Sequence, residues 1–235
     1  PAPPAGTYDH AYRFSLDGGF SWLYCDGQPE GSSNGYQIEN AGNLVTFGEL
    51  EPEVLLITEL ADPNNGGGGS GSPNLRYVEL YNPTDSSIDL TNGWTLRRWT
   101  NANMDFTSDV SLTGTVPGRG FFIVCSNQED FQSAYTGATC DLEIGTGGPA
   151  DSNGDDHIAI AKDGMVFDIF GVPGVDGSNT PHEFEDGRAE RGCSNTDPAT
   201  TWDASGWNVD NDSGGGDGPQ DAPAGFDPGD WICLD

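Results

Sequence analysis

His157-Ile-Ala-Ile-Ala-Lys-Asp-Gly-Met-Val-Phe-Asp-Ile-Phe170 reads as two strands folded back on a two-residue turn. Asp-Gly is favoured at such turns because their central residues take positive φ. His157–Lys162 and Met165–Phe170 are therefore expected to pair antiparallel around Asp163-Gly164. Strand-like runs recur on the N-terminal side at Leu55–Leu60, Arg76–Tyr81, Ile88–Leu90, Trp94–Trp99, Val110–Leu112 and Gly120–Ser126. An extended segment follows at Ala189–Cys193. Asn82-Pro83, Asn92-Gly93 and Pro117-Gly118 punctuate them as turns. Many short strands at this spacing specify an all-β sandwich or barrel. One short helix is expected around Asn127–Tyr135, where Glu129 and Asp130 suit the positive N-terminal end of a helix dipole.

Composition agrees. The 235 residues include 35 Gly and 16 Pro, which oppose helix interiors. Asp and Glu number 38 against 8 Lys and Arg, a net charge of −30. Lys162 is the single lysine. A basic grip on nucleic acid is excluded on charge, and no apolar run is long enough for a membrane-spanning helix. Disorder is disfavoured, since charged residues make up 20%, aromatics 10%, and six tryptophans need burial.

Residues 1–6 read as a Pro-rich linker. Tyr8–Leu16 and Phe20–Cys25 form a hairpin on Asp17-Gly18-Gly19, and Asn43–Phe47 is a third short strand. Three strands within residues 1–48 bury too little surface to stand alone, so this is a partial β unit. Glu49–Glu53 is an acidic hinge, and the complete sandwich is expected over 54–210. An acidic, Gly/Pro-rich tail (211–235) follows, anchored by Trp231 and Cys233. Trp94 and Trp99, five apart on one strand, must face opposite ways.

Acidity, scarce lysine and five cysteines point to an extracellular location, where disulfides persist. Cys125–Cys140 and Cys193–Cys233 are the expected pairs. Cys25 is left free or paired across chains.

Leu55-Leu-Ile-Thr-Glu-Leu60, Arg76-Tyr-Val-Glu-Leu-Tyr-Asn-Pro83, Gly93-Trp-Thr-Leu96 and Gly118-Arg-Gly-Phe-Phe-Ile-Val124 occur in order. Gly154-Asp-Asp-His-Ile-Ala-Ile160, Val166-Phe-Asp-Ile-Phe-Gly171, Glu183-Phe-Glu-Asp-Gly-Arg-Ala189 and Trp202-Asp-Ala-Ser-Gly-Trp207 continue the series. This ordered set, over about 54–210, resembles the bacterial lamin tail domain. The resemblance implies an immunoglobulin-like β-sandwich, non-catalytic, carried by secreted or surface proteins. The Gly-rich insertion at Asn64–Asn74 and the acidic tail depart from that pattern. Gly6–Asp26 resembles the closing strands of an immunoglobulin-like module of bacterial exoproteins.

The acidic loops suggest Ca²⁺, which takes six to eight oxygen ligands around sharp Gly turns. Asp151, Asn153, Asp155 and Asp156 form one candidate set, and Asp210, Asp212 and Asp217 a second. The competing readings are a solvated loop and a flexible tail. Glu59, Asp62 and Glu79 form a third. Alternation puts Glu59 on the Leu55/Ile57 face, and the three converge if their strands are neighbours. Pairing with Arg76, Arg97 or Arg98 competes with metal there, as Arg188 or Arg191 does at Asp168 and Asp176. Thirty uncompensated charges also favour bound cations.

Catalytic signatures are absent from the sequence. His10 and His157 lie on strands and read as surface packing or hydrogen-bonding groups. His182 beside Glu183 is the remaining candidate base. No P-loop or HExxH occurs. The expected function is a non-catalytic, calcium-stabilised structural or adhesive module, assembling with copies of itself or with neighbouring surface proteins, in a fibre through strand or loop contacts. A polysaccharide- or polymer-binding accessory domain of a secreted hydrolase is the alternative.

Overall fold

The computed structural model describes residues 12–14, 23–25, 53–65 and 72–234. The linker at 1–6, the turn at 17–19, the strand at 43–47 and the glycines at 66–71 lie outside the described residues. So do His10 and the Cys25 side chain. The chain divides into two compact units, Pro1–Leu50 and Glu51–Asp235. In the first, β1 (Tyr12–Phe14) and β2 (Leu23–Cys25) pair antiparallel, with Tyr12 opposite Cys25.

The second unit contains β3 (Leu56–Ala61), β4 (Tyr77–Asn82), β5 (Ile88–Asp89), β6 (Trp94–Trp99), β7 (Ser108–Ser111), β8 (Thr115–Val116), β9 (Gly120–Cys125), α1 (Gln128–Ala134), β10 (Leu142–Glu143), β11 (His157–Lys162), β12 (Met165–Phe170), β13 (Arg188–Arg191) and β14 (Trp207–Asp210). Among the described residues no helix is long and apolar enough to cross a membrane. The hairpin at 157–170 forms with the expected bounds: Asp163 and Gly164 take φ of 50° and 83°, and Lys162 stands opposite Met165.

A six-stranded sheet, ordered β10-β9-β4-β3-β13-β14, faces a four-stranded sheet, ordered β12-β11-β6-β7. Between them Ile57, Leu60, Val78, Leu80, Phe122 and Val124 meet Trp94, Leu96, Ile158, Ile160 and Phe170 in one core. These residues alternate along their strands except on β3, where a register shift separates Ile57 from Leu60. Trp94 lies in this core, whereas Trp99 lies under the ring of Phe106, at 6.0 Å. Three strands went unread in the sequence. Thr115–Val116 and Leu142–Glu143 are two residues long, and Trp207–Asp210 is embedded in tail-like composition. That last segment is the sheet edge, with Trp207 opposite Arg191 and Asp210 opposite Arg188.

The outer face of the six-stranded sheet carries two apolar clusters, around Tyr77 and Ile123 and around Leu56 and Tyr81, and α1 and the C-terminal segment cover it. Asn127 caps α1 by accepting a hydrogen bond from the Asp130 N–H at 2.8 Å. Phe131 then packs edge-on to Tyr77, centroids 5.4 Å apart. Cys125–Cys140 bonds the end of β9 to the loop after α1, and Cys193–Cys233 bonds the exit of β13 to the C-terminal segment. Trp231 fills the space over Leu56 and Tyr81, and its Nε1–H donates to the Arg191 carbonyl at 2.7 Å.

Cys125 and Cys140 are 15 residues apart, so their bond removes the freedom of a short loop from the unfolded chain. Replacing both by Ser is expected to lower unfolding stability by about 3 kcal/mol in urea melts. A loss below about 1 kcal/mol would show that packing alone seats α1.

Candidate functional site

The register Arg188↔Asp210 puts the residues before β13 opposite those after β14. This apposition is close. A Cβ on Gly187 would sit 2.1 Å from the Asp210 carbonyl oxygen. Two hydrogen bonds fasten the segments beyond it. Asp212 N–H donates to the Glu185 carbonyl at 3.0 Å, and Asn211 Nδ2 donates to the Glu183 carbonyl at 2.9 Å. The loop before β11 joins them, since Phe184 N–H donates to the Gly154 carbonyl at 2.8 Å. Gly154 has φ of 90°, and a Cβ there would lie 2.1 Å from the Glu185 nitrogen. Only glycine tolerates both that conformation and that contact.

Three loops thus meet: 151–156, 183–187 and 211–217. Glu183, Glu185 and Asp212 each direct one carboxylate oxygen to within 4.8 Å of the others, the one such acidic or metal-ligating trio among the described residues. Glu183 is 3% exposed. Its Oε1 accepts from Asn179 N–H at 2.9 Å, while its buried Oε2 has no hydrogen-bond partner. Buried Asp186 likewise leaves Oδ1 without a partner. Desolvation, then repulsion by Asp212, Asp155, Asp186 and Glu183, raises the pKa of Glu185.

The three acidic sets expected from sequence are distributed differently. In the first, Asp151 accepts from Arg76 Nη1 at 2.8 Å and from Gly147 N–H at 2.6 Å. Asp155 accepts from Asn101 Nδ2 at 2.7 Å, and Asp156 accepts from Asn101 N–H at 3.1 Å. Asn153 is half-buried. The pKa of Asp155 is pushed up to about 6 by desolvation, then by Asp156 and Asp176. In the second set, Asp210 accepts from Asp217 N–H at 2.8 Å and lies 3.7 Å from Arg188 Nε. Asp217 is exposed, and Asp212 joins Glu183 and Glu185.

The third set is split. Asp62 pairs with Arg76 at 2.6 Å, and burial outweighs that cation to push its pKa up to about 7. Glu59 does not share the face of Leu55 and Ile57. A register shift between Ile57 and Glu59 turns it onto the outer face of the sheet, directly opposite Glu79 on β4 and Glu190 on β13. Tyr77 Oη donates to Glu59 at 2.5 Å, Thr58 Oγ1 to Glu79 at 2.6 Å, and Gly229 N–H to Glu79 at 2.7 Å.

Asp168 and Arg191, fully buried, pair with each other. Asp176 is exposed and accepts from Ser178 N–H at 3.1 Å. His157 is not at the surface. It is wholly buried, with its ring centroid 5.0 Å from that of His182. His157 Nε2 meets the Asn101 carbonyl and His182 Nδ1 meets Thr180 Oγ1, each at 3.0 Å. Burial lowers the pKa of both, and burial with the neighbouring His157 brings His182 to about 4. Both rings are neutral at neutral pH.

Sequence reading passed over Glu183 and Glu185 as a site. No local pattern marks them, because Glu183-Phe184-Glu185 lies in a loop before β13 where strand alternation does not apply. No protein-family model and no curated protein matches the chain.

Proposed function

We propose that this chain is a non-catalytic, extracellular structural or adhesive module on an immunoglobulin-like, lamin-tail-like sandwich, stabilised by calcium and associating with copies of itself or with neighbouring surface proteins. The tied-down outer layer carries this reading. Helix α1 and the C-terminal segment, which close one face of the six-stranded sheet, are each held by a disulfide and a buried aromatic anchor. Such covalent ties suit an oxidising compartment and a part that bears load. Buried Arg76 and Arg191 are occupied by Asp62 and Asp168 as structural partners. The described tryptophans are all buried or half-buried, which leaves the carbohydrate-binding alternative without an exposed tryptophan among the described residues.

The test combines assays on phosphodiester, ester and glycoside substrates with sedimentation and electron microscopy, with and without chelator. The expected result is no turnover, together with self-association that chelation weakens. Metal-dependent hydrolysis, or a strict monomer at high concentration with calcium, would reject the proposal.

A further inference from the structure

We infer that Glu183, Glu185 and Asp212 form a Ca²⁺ site that clamps the loop before β13 to the loop after β14. This rests on the calcium reading above and gives it an address that neither acidic loop alone supplied. Two independent observations support it. The first is convergence: three carboxylates from two separate segments bring oxygens within 4.8 Å of one another. The second is the unpartnered oxygen. Glu183 is 3% exposed, yet its Oε2 receives no hydrogen bond. A buried carboxylate oxygen without a donor is costly, so the group needs a cation or a proton.

No guanidinium fills that role. The charges acting on Glu185 are all carboxylates: Asp212, Asp155, Asp186 and Glu183. Arg76, the cation that acts on adjacent Asp186, already grips Asp62 and Asp151.

The donor set decides the metal class. All three ligands are oxygens and no Cys or His joins them, which disfavours Zn²⁺ and Cu²⁺. The burial gradient, from buried Glu183 through half-buried Glu185 to exposed Asp212, leaves one side of the ion open to water. Ca²⁺ accepts such a mixed, irregular shell, whereas Mg²⁺ demands near-octahedral geometry and dehydrates reluctantly. Main-chain bonds already fix the two segments, because Asp212 N–H and Asn211 Nδ2 hold the Glu185 and Glu183 carbonyls. The ligands are therefore positioned before the ion arrives, which lowers the ordering cost of binding.

The test is isothermal titration of the full chain, stripped of metal, with CaCl₂ and separately with MgCl₂. The variants are Glu183→Gln, Asp212→Asn and, as a control on a neighbouring exposed acid outside every candidate set, Asp221→Asn. Asp212 is exposed, so its variant keeps the fold even if Glu183→Gln does not. The wild type and Asp221→Asn are expected to bind Ca²⁺ in preference to Mg²⁺. Asp212→Asn and Glu183→Gln should each weaken one equivalent of Ca²⁺ at least tenfold. If the wild type binds no Ca²⁺ at millimolar concentration, or binds Mg²⁺ equally, this site and the calcium reading both fall. If it binds Ca²⁺ and both variants keep full affinity, this site falls and the calcium reading survives elsewhere.

Discussion

Asp168→Ala is expected to lower unfolding stability by about 3–5 kcal/mol, because it strands a buried guanidinium. Asp168 on β12 and Arg191 on β13 pair across the two sheets, with side-chain exposures of 0% and 1%. Their hydrogen bonds explain the position. Where β13 parts from β3, Ile57 loses its strand neighbour on that side. Arg191 Nε then donates to the Ile57 carbonyl at 2.6 Å, and Ile57 N–H donates to Asp168 Oδ2 at 2.9 Å. The ion pair replaces a missing stretch of ladder.

Asp168 Oδ1 also accepts from Ala199 N–H at 3.0 Å, and the guanidinium lies over the Trp207 ring at 4.7 Å. Removing the carboxylate therefore leaves two backbone donors and one cation unsatisfied. Asp168→Asn keeps part of the acceptor set and should cost less. Urea melts at neutral pH measure both. If Asp168→Ala costs under about 1 kcal/mol, water or another acid has taken over the pair, and the inter-sheet role is wrong.

The same region shows what the sequence revealed and what it withheld. Asp168 and Arg191 were visible as competing partners, because a strand-centred acid needs a counter-charge. The hairpin at 157–170 and the opposite facings of Trp94 and Trp99 were legible, since turn chemistry and strand period are local. Of the two disulfides, Cys125–Cys140 was suggested by closeness in sequence and Cys193–Cys233 by their bracketing a Trp-rich tail. Glu59 was assigned the wrong face because strict alternation cannot register the irregularity between Ile57 and Glu59. Trp207–Asp210 was hidden because its composition is that of a loop, and pairing with β13 makes it a strand. The trio at Glu183, Glu185 and Asp212 was illegible for a related reason. Its ligands come from two loops, brought together by a strand pair the sequence did not announce.

Stability should fall as pH rises from about 6.5 to 8, and Glu79→Gln should reduce that fall. Glu59 and Glu79 face each other on the outer sheet face beneath the C-terminal segment, 1% and 0% exposed. The pKa of Glu59 is pushed from 4.5 up to about 8 by desolvation, then by Asp227, against the opposing pull of Tyr77 and Arg188. That of Glu79 is raised by desolvation and then by Glu59. Between pH 4.5 and 8 the unfolded chain has released the Glu59 proton and the native chain retains it, so rising pH favours unfolding. The slope is about 1.4 kcal/mol per pH unit per proton.

The histidines act with the opposite sign. His182, lowered from 6.5 to about 4, contributes stability above pH 6.5 that is lost as pH falls toward 4, and His157 shifts in the same direction. Above 6.5 they drop out, and the buried carboxylates set the slope, Asp62 with its pKa of about 7 adding to Glu59 and Glu79. Glu59 then accounts for about 2 kcal/mol between pH 6.5 and 8, and the raised pKa of Glu79 acts in the same direction. Gln at position 79 mimics the neutral acid: its carbonyl accepts from Gly229 N–H, and its amide donates to Thr58 Oγ1. Glu79→Gln should therefore already be more stable than wild type at pH 6.5, and by a wider margin at pH 8, because Glu79 of the unfolded chain ionises from about pH 4.5 upward. Urea melts in chelator, which silences any bound cation, decide the matter. A flat profile, or a Gln variant penalised more at pH 8 than at 6.5, would mean that both carboxylates are ionised beneath the C-terminal segment.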